Sequence, residues 1–220
     1  MPDFLPTPVQ TGLLMLAAYL IGSVSGSLLL GRLRGVDIRQ HGSGNAGGTN
    51  ALRTLGWKFA VGVVVIDIAK GALAAWLALR LAPVGTGLSV TAHGYLAAAL
   101  AVVGHVWPIW HGFRGGKGAA TAIGGLLVLW PWIVPLLIAT WGVLLVATGY
   151  VGLATVIAAA CMPLWAWWFD ASPARMAFCI GVALFVVFSH RENLRRLWQG
   201  NESRFERARL LHRLRGRSRY

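Results

Sequence analysis

The sequence has few acidic residues and few charged residues of any kind. Seven Asp and Glu stand against 20 Lys and Arg, charged residues make up 12% of the 220, and 56% are hydrophobic. A soluble domain of this length cannot bury so large an apolar fraction, so the composition predicts a protein whose main solvent is lipid. Only two cysteines are present, Cys161 and Cys179. They lie in apolar runs without CxxC spacing and are therefore predicted to be buried free thiols.

Basic residues are concentrated in three regions. Apart from two arginines, all Lys and Arg lie in residues 32–70, 114–117 and 191–220. Since basic residues mark cytoplasmic loops, all three regions are expected on the cytoplasmic side. The first apolar run follows Asp3 instead of a basic segment and is followed by Arg32. This order predicts an uncleaved anchor with the N-terminus outside.

Apolar segments separated by prolines and polar loops predict seven transmembrane helices. They are expected at about residues 9–31, 56–81, 90–107, 119–130, 132–147, 149–169 and 174–189. The stretch after residue 118 is divided at Trp130-Pro131-Trp132, where a helix-ending proline lies between interfacial tryptophans. The basic regions at 114–117 and 191–220 are both expected on the cytoplasmic side, so an even number of crossings has to separate them. The division gives four crossings and meets this condition. In the alternative topology the chain crosses the membrane only twice between these two basic regions, with one kinked helix and one re-entrant segment. The predicted class is an all-α integral membrane protein with its C-terminus in the cytoplasm.

Two domains are expected, a membrane domain over residues 1–203 and a basic cytoplasmic tail over residues 204–220. From residue 191 onward the chain carries ten arginines and three glutamates. Residues 204–217 alternate basic and apolar side chains and predict an amphipathic helix on anionic lipid headgroups. Nucleic acid is the other partner that such charge suggests. Beside a membrane domain the lipid bilayer is favoured, so no nucleic-acid partner is expected.

The most informative polar stretch is GHVWPIWHGFRGGKGAAT, residues 104–121, between two apolar segments. Hydrocarbon cannot solvate bare backbone, so this loop is expected at the membrane surface or in a protein-lined cavity. Gly115-Gly116-Lys117-Gly118 combines backbone without Cβ atoms with an ammonium, and a helix is expected to begin at Ala119. Together these features predict an oxyanion pocket, with phosphate as the favoured ligand. A Walker motif is excluded, because Gly118 follows the lysine and no strand precedes the loop.

A second anion-friendly loop is HGSGNAGGTN, residues 41–50, followed by Arg53. Its glycine spacing matches the dinucleotide fingerprint, with Asp67 placed 20 residues past Gly47. That fingerprint has meaning only between a strand and a helix, so it is rejected here. Small hydroxyls, amides and a guanidinium remain, which suit hydrogen bonding to a polyoxygen anion. Asp67 and Lys70 are costly in lipid and are expected to pair toward the bundle interior.

The third polar cluster is Ser189-His190-Arg191-Glu192-Asn193, which is followed by Gly200-Asn201-Glu202. A lone histidine at a helix end is usually a capping or interfacial residue. Here His190 and Asn193 are three positions apart and would share one face of a helix. Beside two other anion-friendly loops, this pair is predicted to belong to a site.

The three clusters together resemble the acyl-phosphate:glycerol-3-phosphate acyltransferases (the PlsY family) of bacterial inner membranes. The resemblance rests on three blocks in order, GSGNAGGTNALRTLG at 42–56, GHVWPIWHGFRGGKGAAT at 104–121 and HRENLRRLWQGNE at 190–202. It spans about residues 20–205. Gly48 stands where the family usually has alanine. The tail beyond about residue 204 matches nothing in the family pattern.

This resemblance implies transfer of a fatty acyl group from acyl phosphate to the 1-hydroxyl of glycerol 3-phosphate, in phospholipid synthesis. The products would be lysophosphatidic acid and phosphate. It also implies that no coenzyme A, acyl carrier protein, cofactor or metal is required. The protein is expected to be a multi-pass protein of the bacterial inner membrane, with its active site on the cytoplasmic side.

The blocks also imply roles for individual residues. Catalysis is assigned to Ser43, Arg53, His190 and Asn193. Acyl-phosphate binding is assigned to Thr49, Asn50, His105, Gly115, Gly116, Lys117 and Gly118. Glycerol 3-phosphate binding is assigned to Ser43, Arg53, Lys117, His190 and Asn193. A structural role is expected for Asp67, Lys70 and Glu202. The acceptor of the glycerol hydroxyl proton stays open between His190 and the donor's own phosphate.

A transporter or channel for a phosphorylated small molecule is the competing class. It would use the same cationic loops and the same intramembrane Asp67 and Lys70. No internal repeat is visible in the sequence, and the polar clusters all fall on one predicted side. The enzyme is therefore the favoured hypothesis.

Overall fold

The computed structural model describes residues 5–206, which form α-helices and two short 3-10 turns without a strand. In chain order the helices are α1 (Thr7–Gly22), α2 (Gly26–Leu33), α3 (Gly48–Leu55), α4 (Trp57–Leu81), α5 (Val90–Val106), α6 (Ala119–Leu129), α7 (Ile133–Thr148), α8 (Val151–Trp168), α9 (Pro173–Ser189) and α10 (Arg191–Trp198). The predicted all-α class is confirmed for this part of the chain. Apart from its first three residues, the tail helix expected over 204–217 lies outside the described residues.

Several of these helices are long and apolar enough to cross a membrane. Between residues 5 and 206 they are α4, α8 and the stretch Val90–His111 that begins with α5. The bent pairs α1–α2 and α9–α10 raise the number to five if each pair is one span. The apolar helices α6 and α7 are shorter, with 11 and 16 residues.

The proline-tryptophan break was predicted at its correct position. Helix α6 ends at Leu129 and α7 begins at Ile133, so Trp130-Pro131-Trp132 lies between two separate helices. Trp130 caps α6, and its amide donates to the carbonyl of Leu126 at 2.7 Å. The end of α6 just before Pro131 is expected, because a proline cannot donate a hydrogen bond within a helix.

The first apolar segment differs from its prediction as one continuous helix. Residues 23–25 separate α1 from α2, and the two helices are bent by 49°. Side chains of α4 bind the backbone at this break. Lys70 donates to the carbonyl of Val24 at 2.7 Å, and the amide of Gly26 donates to Oδ1 of Asp67 at 3.2 Å. Such side chains satisfy backbone groups that a broken helix in a membrane would otherwise expose.

Two compact units make up the chain, one ending at Pro131 and the other beginning at Trp132. In the first unit α4 packs against α1, α2, α3, α5 and α6. Glycines bring α4 and α6 into backbone contact, since a Cβ on Gly71 would overlap the carbonyl of Thr121 and one on Gly124 that of Ile68. Such close approach is typical of membrane helix contacts. In the second unit α8 packs between α7 and α9, and α10 contacts α8 and α9.

Candidate active site

The glycine-rich loop folds back onto the C-terminal end of α5. The amides of Gly115 and Gly116 donate to the carbonyls of Val106 and His105, both at 3.1 Å. These two amides, which the sequence suggested as bare donors for an anion, are therefore occupied by the protein's own backbone. The glycines are required for a steric reason instead. A Cβ on Gly115 would overlap the carbonyl of His105, and one on Gly116 would overlap Nε2 of the His105 ring.

The end of this loop carries the groups best suited to bind an anion. Lys117 is half-buried, and Gly118 adopts a left-handed backbone with φ of 90°, a conformation that favours glycine. The predicted helix start is correct, since α6 begins at Ala119. The first amides of a helix have no intrahelical acceptor and favour negative charge. Lys117 therefore stands two residues before an electropositive helix end.

Asn50 organises the first loop. Its Oδ1 accepts a hydrogen bond from the amide of Ser43 at 2.9 Å, and the side chain is buried. Its Nδ2 donates to the carbonyls of His41 at 2.9 Å, Asn45 at 3.0 Å and Ile38 at 3.2 Å. An amide nitrogen has two hydrogens, so these three acceptors leave no donor over. Asn50 therefore shapes the loop around Ser43.

The other predicted residues of the first block lie at its surface. Ser43 is exposed on the loop, and Thr49 is half-buried in the first turn of α3. Arg53 is exposed in the last turn of the same helix. A hydroxyl and a guanidinium at these positions are accessible to a water-soluble anion.

The first and second blocks are in direct contact. The amide of Ala46 donates to the carbonyl of Gly115 at 3.4 Å. The carbonyl of Ala46 accepts a 2.9 Å hydrogen bond from Oγ of Ser27, which is buried on α2. The loop that carries Ser43 is thus joined to the loop that leads to Lys117.

An arginine that the sequence analysis did not single out also joins the two loops. Nη1 of Arg39 donates to the carbonyls of His111 at 2.9 Å and Arg114 at 3.4 Å. Asp37 holds the guanidinium in place, with Oδ2 lying 2.8 Å from Nη2. The hydrogen bond from Arg39 lowers the pKa of the Asp37 carboxyl below its ordinary value. The sequence did contain a signal for this ion pair, because Asp37 is one of only seven acidic residues and lies two positions before Arg39.

Asp67, Lys70 and His105 form a buried network inside the first unit. Nζ of Lys70 lies 3.1 Å from Oδ1 of Asp67 and 2.7 Å from Nδ1 of His105. Nδ1 of His105 lies 3.4 Å from Oδ1 of Asp67. Each of the three side chains is at most 5% exposed. The expected pairing of Asp67 with Lys70 is present, and His105 joins it from α5.

The third block lies in the second unit, where His190 connects α9 to α10. Its Nδ1 lies 2.9 Å from the carbonyl of Val186, and the residue is buried. A carbonyl can only accept, so Nδ1 is the protonated nitrogen and the lone pair of the neutral ring is on Nε2. Asn193 lies one turn into α10, and its amide donates to the carbonyl of His190 at 2.9 Å.

Glu202 fixes the orientation of Asn193. Its Oε1 accepts from Nδ2 of Asn193 at 2.6 Å, and its Oε2 accepts from Nε of Arg196 at 2.8 Å. Gly152 on α8 packs against the same asparagine, because a Cβ there would lie 2.9 Å from Cβ of Asn193. Glu202 thus contacts two side chains of α10, and its structural role stays a prediction.

Most of the chain is similar to proteins of one family. Residues 12–200 match the family model described as Glycerol-3-phosphate acyltransferase. A Glycerol-3-phosphate acyltransferase of Shewanella baltica (strain OS155) is 40% identical over 202 residues, which cover 90% of this chain and 94% of that one. One of Glaesserella parasuis serovar 5 is 39% identical over 196 residues, covering 87% and 91%.

Two crystal structures of PlsY (YgiH), an integral membrane glycerol 3-phosphate acyltransferase, have the same fold. The glycerol 3-phosphate form superposes with a TM-score of 0.80 at 33% identity, covering 89% of this chain and 95% of that chain. The lysophosphatidic acid form gives 0.79 at 31% identity, covering 88% and 94%.

Proposed function

This chain belongs to the glycerol-3-phosphate acyltransferase family and is an integral membrane acyltransferase. From that premise we propose its acyl donor, its site residues and its orientation in the membrane. The donor is an acyl phosphate, and its acyl group passes to the 1-hydroxyl of glycerol 3-phosphate. Lysophosphatidic acid and phosphate are the products. The observation that carries this proposal is the contact of Ala46 with Gly115, which joins the loops of the first and second blocks.

The chemistry of the substrates fits the residues of these blocks. Two phosphate-bearing molecules have to approach within bonding distance, which requires clustered cations and few carboxylates. An acyl phosphate is an activated mixed anhydride, so no covalent enzyme intermediate is needed. Positioning and charge stabilisation are sufficient for its reaction. The fatty chain stays in lipid, which agrees with a polar site bordered by apolar helices.

We assign the donor phosphate to the second block together with part of the first. Lys117 provides the charge and Gly118 leads the chain into the N-terminus of α6, while Thr49 contributes a hydroxyl. The donor site also includes residues that set the shape of the loops and do not bind the phosphate through their amides, because those amides form hydrogen bonds within the protein. They are Gly115, Gly116 and Asn50. His105 lies beneath Gly116 and contacts it through the ring.

The acceptor, glycerol 3-phosphate, is assigned to residues of all three blocks. They are Ser43, Arg53, Lys117, His190 and Asn193. The tautomer of His190, with its proton on Nδ1, leaves Nε2 as the basic nitrogen and supports a role as general base. The phosphate of the donor is the other candidate for accepting the glycerol hydroxyl proton. Ser43, Arg53, His190 and Asn193 are the proposed catalytic residues, and Asp67, Lys70 and Glu202 are structural.

The chain is proposed to cross a bacterial inner membrane seven times, with the N-terminus outside and the site on the cytoplasmic side. The positions of basic residues support this orientation. A membrane domain over residues 1–203 and a basic tail over residues 204–220 complete the proposed organisation. The shortest proposed crossing is α6, whose 11 residues span only about 16 Å of a hydrocarbon core that is about 30 Å thick.

Cysteine labelling tests this orientation. Cys161 and Cys179 are first replaced by alanine, and Trp132→Cys then introduces one thiol at an exposed position between α6 and α7. Seven crossings put residue 132 outside, so a membrane-impermeant maleimide should label it in intact cells. Labelling only after permeabilisation would contradict a crossing by α6. Glu192→Cys on α10 is the matched cytoplasmic control.

The activity is tested with purified protein in detergent. Palmitoyl phosphate and glycerol 3-phosphate together should release inorganic phosphate and form lysophosphatidic acid, and neither should do so alone. Palmitoyl coenzyme A in place of the acyl phosphate should give no product. Release of phosphate without glycerol 3-phosphate would indicate a hydrolase, and no release with any chain length would contradict the proposed donor.

A further inference from the structure

Arg39 lies in a short 3-10 turn that leads directly into the loop carrying Ser43. Asn50 binds the backbone on both sides of this arginine, because its Nδ2 donates to the carbonyls of Ile38 at 3.2 Å and His41 at 2.9 Å. The same side chain accepts from the amide of Ser43 at 2.9 Å. The backbone of Arg39 therefore has a fixed position relative to the Ser43 loop.

Most of the hydrogen-bonding capacity of the Arg39 guanidinium is used within the protein. Nε lies 3.0 Å from Oδ1 of Asp37 and Nη2 lies 2.8 Å from Oδ2, while Nη1 donates to the carbonyls of His111 at 2.9 Å and Arg114 at 3.4 Å. A guanidinium has five N–H hydrogens, so these contacts use four of them. The side chain is only 25% exposed. Arg39 therefore holds parts of the protein together and has little capacity left for a substrate.

The turn that Arg39 binds has an unfavourable backbone conformation. Gly112 and Phe113 both adopt left-handed backbone angles, with φ of 64° and 59°. Glycine tolerates this conformation, but for phenylalanine it costs free energy and persists only where the surrounding structure holds it. The two carbonyls that Arg39 binds belong to His111 and Arg114, one on each side of this pair of residues. The guanidinium is therefore placed to hold the turn in its strained shape.

We propose that Arg39, oriented by Asp37, is a positioning residue that fixes the turn preceding Lys117 against the loop carrying Ser43, and thereby sets how closely the two substrates approach each other. The inference rests on the proposed function, because it uses the roles assigned to these two loops. The hydrogen bonds of the Arg39 side chain are to Asp37 and to backbone, so each proposed binding group stays on its own loop without them. Misplacing reacting groups by about 1 Å costs about 100-fold in rate. Loss of Arg39 should therefore lower kcat more than it raises either KM.

Steady-state kinetics of Arg39→Gln test this division between kcat and KM. The amide is uncharged and cannot bridge a carboxylate and two carbonyls. We expect kcat to fall about 10- to 100-fold, while the KM for palmitoyl phosphate and the KM for glycerol 3-phosphate each change less than about threefold. Arg34→Ala is the matched control, because it removes an exposed charge five positions earlier that stacks on the ring of Phe59, and all three constants should stay at wild-type values. A raised KM for either substrate with an unchanged kcat would overturn the proposal.

Equilibrium binding of labelled glycerol 3-phosphate separates positioning from a loss of folded protein. An unfolded fraction lowers kcat and the number of binding sites in the same proportion. A positioning defect leaves the number of sites near the wild-type value, so kcat per binding site should still fall about 10- to 100-fold in Arg39→Gln. A wild-type kcat per site in this variant would remove the inference. It would leave the proposed function intact if the wild-type enzyme turns over palmitoyl phosphate.

Asp37 is tested by combining variants. Asp37→Ala leaves the guanidinium without the carboxylate that orients it, so kcat per binding site should fall here as well. Because Asp37 acts through Arg39, the double variant Asp37→Ala/Arg39→Gln should be no slower than Arg39→Gln alone. Losses that multiply in the double variant would show that the two residues act independently, which would overturn the proposal.

A guanidinium ion added in solution provides a test by rescue. Arg39→Ala leaves space beside Asp37 for a planar cation that can donate to the same carboxylate and carbonyls. Millimolar guanidinium chloride should raise kcat per binding site of Arg39→Ala at least about threefold, and an equal concentration of potassium chloride should not. The wild-type enzyme and Arg34→Ala should not respond to either salt. No recovery in Arg39→Ala protein that binds glycerol 3-phosphate at the wild-type number of sites would overturn the proposal.

Discussion

Nδ2 of Asn193 lies 2.6 Å from Oε1 of Glu202, and this contact holds the asparagine in a fixed orientation on α10. The other carboxylate oxygen binds Arg196, so the two side chains share one buried acid. Glu202→Ala removes both contacts. We expect kcat to fall at least about tenfold, equivalent to about 1.4 kcal/mol, because Asn193 would lose its orientation. The melting temperature should fall as well.

Glu202→Gln is the matched variant for this prediction, because its side-chain oxygen can still accept from Asn193. It should retain more of kcat than Glu202→Ala does. Both are measured by phosphate release and by thermal unfolding in detergent. Equal kcat values in wild type and Glu202→Ala would show that the orientation of Asn193 has no effect on turnover.

The ammonium of Lys117 is predicted to bind the donor. Lys117→Ala should raise the KM for palmitoyl phosphate, with a cost of about 2–3 kcal/mol for a charged hydrogen bond. Steady-state kinetics with the donor varied measure this effect. Arg114→Ala is the control, because it removes a neighbouring exposed charge while leaving the carbonyl that binds Arg39. An unchanged donor KM and kcat in Lys117→Ala would exclude the lysine from the site.

The guanidinium of Arg53 is predicted to bind the acceptor. Arg53→Ala should reduce kcat/KM mainly when glycerol 3-phosphate is the varied substrate. Arg53→Lys should restore only part of this, because an ammonium cannot form the two parallel hydrogen bonds of a guanidinium. Lys58→Ala, an exposed cation nearby in sequence, serves as the control. A defect confined to the acyl donor would reassign Arg53 to the other substrate.

A methyl group at position 116 should disrupt the loop. Gly116→Ala would force a Cβ against Nε2 of the buried His105 ring. We expect the melting temperature and kcat to fall, with about 1–3 kcal/mol of overpacking strain. Gly142→Ala on α7 is the matched control, because nothing lies within 4 Å of its added Cβ and alanine favours a helix. Wild-type values for Gly116→Ala would contradict the close packing of the loop.

The ion pair of Asp37 and Arg39 should make stability depend on acid pH. Because Arg39 lowers the pKa of Asp37 in the folded protein, the pair stabilises the fold fully above the ordinary carboxyl value of 3.8. That stabilisation is lost as the pH falls through the lowered folded value. Asp37→Asn should therefore melt below wild type at pH 6, and the difference should shrink below about pH 3.8. Parallel melting curves at every pH would contradict the prediction.

Composition and proline positions were sufficient to predict most of the helices. The predicted range 90–107 compares with Val90–Val106 in the structure, and 174–189 with Pro173–Ser189. The break between α1 and α2 could not be predicted from local sequence, because the group that stabilises it is distant. Lys70 binds the carbonyl of Val24, 46 positions away in sequence. Helix α3 lies in a stretch predicted as a polar loop, and its eight residues make only about two turns in which a helical period can be recognised.

Local sequence also left the roles of polar residues ambiguous. A pair of glycines indicates that another group lies close to the backbone, but it does not identify that group. It can be a ligand or, as for Gly116, the ring of His105. Asn50 could equally have been a ligand or part of the loop framework, and its three backbone acceptors show the second. Asp67 and Lys70 were easier to interpret, since two opposite charges three positions apart in an apolar helix are strongly stabilised by pairing with each other.

The pairing of Asp67 with Lys70 has a consequence for biogenesis. Both residues lie in the middle of α4, so this newly made helix of 25 residues has to carry two charges into the bilayer interior, in addition to Lys58 and Arg80 near its ends. Their spacing lets the charges neutralise each other within that single helix, before α5 has been synthesised and can supply His105. The same pair that later contacts His105 therefore also lowers the free energy cost of placing its own helix in the bilayer.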